Sequence, residues 1–140
     1  MKARTAALVL ALLPAVARAE APVPFLAGRV VDEAGMIPPD VRGRVEAKLK
    51  ALEQATGAQV VVLTVPSLQG EVLEPYTHRV AETWKLGRKE QDDGALLFVS
   101  KGDRKMRIEV GYGLEDRLTD LRSRRILDEV MAPRFKAGDF

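Results

Sequence analysis

The chain has 140 residues, 46% hydrophobic and 30% charged, which suits one globular domain of ordinary composition. It has no cysteine and a single histidine, His78, so one chain cannot build a Cys nucleophile, a Cys-ligated zinc, an iron–sulfur cluster or a two-His metal site, and no disulfide-linked partner is expected. Its 22 basic residues outnumber its 20 acidic ones only because of Lys2, Arg4 and Arg18; beyond position 19 the count is 19 basic to 20 acidic, which gives no support for nucleic-acid binding.

Residues 1–19 read as a secretory signal. Met1-Lys2-Ala3-Arg4 is a basic start, Thr5–Val16 is an apolar run broken by Pro14, and Ala17-Arg18-Ala19 has the small-x-small pattern of a cleavage site. A membrane span needs about 20 apolar residues, which this run does not reach. The expected domain is therefore 20–140, exported to the periplasm or another extracytoplasmic space, with membrane association left open. Glu20–Phe25, with Pro22 and Pro24, reads as an extended lead-in, and Arg29-Val30-Val31 as a short edge strand. Val41, Val45, Leu49 and Leu52 form one stripe at helical spacing, with Pro39 in the first turn and Gly57 past the end. Gln59–Val65 is a continuous apolar strand with both faces covered. Val72–Leu86 is a second helix, with Leu73, Tyr76, Val80 and Trp84 on one side and Pro75 tolerated in its first turn. Ala95–Val99 is a central strand, Lys101–Arg104 a tight turn, and 105–110 a strand with one polar face. A last helix starts near Thr119 or Asp120 on the stripe Leu121, Leu127, Val130 and Met131, and Pro133 ends it.

The order predicts a three-layer α/β/α sandwich with a mixed central sheet, in which a β-α-β crossover is followed by an antiparallel hairpin. A crossover makes strands 59–65 and 95–99 parallel, and the short turn makes 105–110 antiparallel to the latter. The end of strand 105–110 then lies beside the start of strand 95–99. This brings Asp92 and Asp93 to Gly111-Tyr112-Gly113, and the N-terminus of the last helix brings Asp120 to the same edge. Asp103 and Arg104, at the hairpin tip, fall on the opposite edge.

Carboxylates gathered at one edge repel unless neutralised, and a hard cation with oxygen ligands is the economical answer. Asp92, Asp93 and Asp120 are the leading metal ligands on this reading, with Glu115 and Asp116 behind them. Ca²⁺ is the first choice and Mg²⁺ the second. The backbone of Gly111, Tyr112 and Gly113 is the associated binding surface, because glycine lets a ligand approach closely. A plainer reading stands beside it: Asp-Asp-Gly is a common turn, and Asp120 has the chemistry of a helix cap. The pattern is neither an EF-hand nor a dinucleotide fingerprint, since Asp116 stands where the third glycine belongs. His78, Tyr76 and Trp84 read as a solvated residue and two core residues.

Val31-Asp32-Glu33-Ala34-Gly35, Thr56 to Val62, Trp84-Lys85-Leu86-Gly87-Arg88, Asp92-Asp93-Gly94-Ala95-Leu96-Leu97, Asp103-Arg104 and Gly111 to Glu115, then Leu118-Thr119-Asp120, together resemble the TPM domain family of thylakoid lumen, photosystem II-associated and bacterial exported proteins. The resemblance covers nearly all of residues 30–140. It implies an α/β/α sandwich, calcium binding in some members and acid phosphatase activity in at least one plant lineage. It also implies accessory roles beside membrane complexes, and a further helix beyond the point where this sequence stops. Two functions follow as expectations. One is a non-catalytic exported module that binds a divalent cation and contacts an unidentified protein partner at a membrane or envelope complex. The other is a metal-assisted acid phosphatase in which Asp93 or a metal-bound water attacks phosphorus.

Overall fold

A computed structural model describes residues 18–140, so the expected signal segment lies almost wholly outside the described residues. Four strands form one sheet in the order β1 (Val30–Asp32), β2 (Gln59–Val65), β3 (Gly94–Ser100), β4 (Lys105–Val110). The first three are parallel, with Val31 beside Leu63 and Leu63 beside Phe98. β4 is antiparallel to β3, pairing Ala95 with Val110 and Ser100 with Lys105. The mixed sheet and the hairpin are thus as the sequence predicts. The connection β3–β4 is short enough to force reversal, whereas β1–β2 and β2–β3 each have a helix to return the chain.

Helix α1 (Pro39–Thr56) starts with proline in its first turn, which needs no N–H there, and stops at Gly57, whose φ of 79° suits glycine. α1 packs against β1 and β2, but none of its residues is buried and Leu52 of its apolar stripe is 41% exposed. Helix α2 (Leu73–Thr83) is shorter than the expected 72–86, because Trp84 caps it and Lys85 turns into the left-handed region at φ 50°. Tyr76 and Val80 from α2 meet Leu63, Val65, Leu96 and Phe98 from the sheet in the main core. The Tyr76 and Phe98 rings lie 5.4 Å apart and tilted, an arrangement aromatic pairs favour.

Val99 and Met106 lie on the other face, where they line a cavity of about 480 Å³ with Ala132 and Phe135 of the C-terminal helical run and with Phe140 beyond it. This makes the third layer. Helix α3 (Asp120–Arg125) begins as expected: the Thr119 side chain accepts the Arg122 N–H at 3.2 Å. Pro133 does not end the helical run. The chain widens into a π turn over Ile126–Met131 and continues as α4 (Ala132–Lys136). The Ala132 N–H reaches back five residues to Leu127, so Pro133 falls in a fresh first turn where its missing N–H is harmless. Among the described residues no helix is long and apolar enough to cross a membrane.

Phe98 is fully buried and its ring meets Tyr76. Phe98→Ala should lower unfolding stability by about 3–5 kcal/mol in urea titration, the usual cost of removing a core aromatic ring.

Candidate functional site

The base of the β3–β4 hairpin is closed by Asp92. Its backbone adopts φ 47°, an uncommon conformation that asparagine and aspartate tolerate better than most residues. Asp92 Oδ2 accepts the Tyr112 N–H at 2.9 Å, and its carbonyl accepts the Gly113 N–H at 3.0 Å. Gly111 N–H donates to the Gly94 carbonyl at 2.7 Å. A Cβ at Gly111 would run into the Asp92 carbonyl, and one at Gly113 into the Gln91 carbonyl. Both glycines are therefore needed for two backbones to touch here. The convergence of Asp92 with Gly111, Tyr112 and Gly113 is as the topology predicts, with Asp92 and Tyr112 exposed.

Asp93 faces the other way and is buried. The Arg88 guanidinium donates to its Oδ2 at 2.9 Å and 2.5 Å, and the Arg88 N–H donates to Oδ1 at 2.8 Å. The guanidinium, followed by that N–H, holds the Asp93 carboxyl below the usual carboxylate range. Both oxygens of Asp93 thus have donors within the protein. Nothing in the sequence spacing marks Arg88 as a partner for one of two adjacent acids.

The remaining acids stand apart. Glu115 and Asp116 are exposed in the turn after the 3₁₀ segment Tyr112–Leu114, and Asp120 is exposed in the first turn of α3. Among the described residues no three His, Asp or Glu side chains stand close enough to share one ion. Asp103, at the opposite edge, fixes the hairpin tip by accepting from the Leu68 N–H at 2.7 Å and the Ser100 hydroxyl at 2.6 Å.

Asp92 does border a groove of about 330 Å³ between α2 and the end of β4, together with His78, Glu82, Lys85, Glu109 and Tyr112. His78 sits between two carboxylates, with Nε2 3.3 Å from Glu82 and Nδ1 3.4 Å from Glu109. Glu109 is mostly covered, with Thr77 Oγ1 at 3.2 Å and Arg107 Nε at 3.0 Å. Glu109 and His78 were not singled out from the sequence as site residues. The signal for Glu109 was the alternation of β4, which turns Lys105, Arg107 and Glu109 to one face; that α2 covers that face is a tertiary fact.

A model of the TPM domain matches residues 30–140. Among solved structures, the N-terminal domain of a P. gingivalis protein is 33% identical, with a TM-score of 0.74 over 79% of this chain and 70% of that one. The N-terminal domain of a Corynebacterium glutamicum protein is 18% identical, with a TM-score of 0.58 over 86% of this chain and 72% of that one, and bears on the fold alone. No curated protein matches.

Asp93→Asn should cost about 1.5–3 kcal/mol at neutral pH, the range for a hydrogen-bonded charge. A lowered carboxyl pKa gives stability that is present above about pH 4, its unfolded value, and lost as pH falls through the folded value. The gap between wild type and variant in urea midpoint should therefore narrow on acidification below about pH 4. Gly113→Ala should destabilise by about 1–3 kcal/mol, as forced overpacking does, since the obstacle is backbone.

Proposed function

Because the chain belongs to the TPM domain family, we propose that it works as an exported, non-catalytic module that binds a divalent cation, Ca²⁺ by preference, at the base of the β3–β4 hairpin. There it serves as an accessory factor for a protein partner in a membrane or envelope complex. The observation that supports this is Asp92. Its backbone is fixed, one carboxylate oxygen holds the Tyr112 N–H, and Oδ1 has no protein donor among the described residues.

The donor set fits a hard cation only in part. Ca²⁺ takes six to eight oxygens, at least some of which are commonly backbone carbonyls and water. Asp92 supplies one carboxylate, Asp93 is engaged by Arg88, and Glu115, Asp116 and Asp120 are exposed and not gathered with it. A site with so few gathered charges belongs with weak extracellular modules, with Kd on the order of 10⁻⁴–10⁻³ M. The metal-assisted phosphatase draws less support: its nucleophile Asp93 would first have to leave Arg88, and a carboxylate with both oxygens hydrogen-bonded is a poor nucleophile.

Calorimetric titration of the protein with Ca²⁺ should give a Kd in that range, weakened at least tenfold in Asp92→Asn. A flat titration up to about ten times the upper Kd of that range, or equal binding by Asp92→Asn, rules the site out.

A further inference from the structure

The segment ahead of β1 has neither helix nor strand, yet Ala21 is buried and Val23 and Leu26 pack against the main core. All of it precedes the matched family region at residue 30. One side of α2 and its cap holds the segment by its backbone. The Tyr76 hydroxyl donates to the Pro22 carbonyl at 3.0 Å, the Arg79 guanidinium to the Ala21 carbonyl at 2.7 Å, and the Trp84 Nε1–H to the Pro24 carbonyl at 2.8 Å. Glu71 accepts the Ala21 N–H and pairs with Arg79 at 2.8 Å, which fixes the guanidinium.

Three side-chain donors thus take three main-chain carbonyls within four residues. Pro22 and Pro24 have fixed φ and bias Ala21 and Val23 toward extended backbone, so little freedom is lost on docking. Aromatic side chains lining a groove are a general means of recognising proline-containing extended segments. The carbonyls of Ala21, Pro22 and Pro24 set the backbone course, and Ala21, Val23 and Leu26 add an apolar side-chain requirement.

We propose that this side of α2, formed by Tyr76, Arg79 and Trp84, is a binding site for extended, proline-containing peptide segments, occupied in cis by residues 21–24 acting as a releasable strap. It is independent of the cation reading, because none of these three residues borders the groove at Asp92. A tethered occupant acts at an effective concentration on the order of millimolar, so a partner segment binds well only when the strap is out.

Two measurements test this. In hydrogen exchange on the unmodified chain, the Trp84 Nε1–H should exchange at least tenfold faster than the β3 amides, because the strap opens without global unfolding. Equal rates would mean that the strap leaves only when the fold does, and would overturn the proposal. In fluorescence anisotropy, a labelled peptide with the sequence of residues 20–27 should bind Ala21→Asp, whose own strap is unseated, at least tenfold more tightly than the unmodified chain. Adding Trp84→Phe should weaken that binding at least tenfold. Failure of the peptide to bind either protein, or indifference to Trp84→Phe, refutes the site. If Ala21→Asp does not fold, the exchange comparison decides alone.

Discussion

The ion pair between Arg88 and Asp93 fixes the edge of the sheet on which everything else at that end relies. Asp93 takes the Arg88 backbone and guanidinium through its carboxylate, and its carbonyl takes the Gln59 N–H at 2.9 Å. The guanidinium lies against Gly57, where a Cβ would come within 2.5 Å of it. The end of α1, the start of β2 and the entry to β3 therefore meet at one residue, Asp93, through its carboxylate, its carbonyl and the arginine it holds. A buried carboxylate is costly without its partner, so the tie specifies the crossing as well as strengthening it. With Asp93 drawn inward, its neighbour Asp92 is turned outward, and the outward carboxylate reaches the Tyr112 amide. The two adjacent acids have opposite fates because one arginine chooses between them.

Much of this was legible from local pattern. The β-branched run 59–65, the apolar run 95–99 and the alternation of 105–110 determined strand identity, and the lengths of their connections determined direction. Those two facts alone place Asp92 at Gly111–Gly113 and remove Asp103 to the far edge. What could not be read was the division of labour among the acids, since hydrogen-bond partners are settled by packing. The π turn at 126–131 was hidden for a related reason. Helical spacing in Leu127, Val130 and Met131 is compatible with both registers, and only the extra residue per turn lets Pro133 pass.

The N-terminal lead-in shows the same limit from the other side. Pro22 and Pro24 announce an extended backbone, but not what it lies on. Tyr76 and Trp84 have core spacing, and both do reach the core. Their polar tips nevertheless need acceptors, and a neighbouring proline segment offers carbonyls with no N–H of its own at two positions. The shared-family region and the folded unit therefore differ, since core contacts are made by residues well ahead of residue 30.

The two outer strands of the sheet are guarded by different means. β1 is only three residues long, too short to template another strand of useful length. β4 is six residues long, and carries Lys105, Arg107 and Glu109 along one side. Charged side chains along an edge strand discourage another chain from pairing with it, and Arg107 is already committed to Glu109 and Glu74 on its own chain. Strand-to-strand stacking of copies is thereby discouraged at both borders. The apolar run 95–99, which has the composition of an aggregating segment, is held in β3 between β2 and β4, away from both borders.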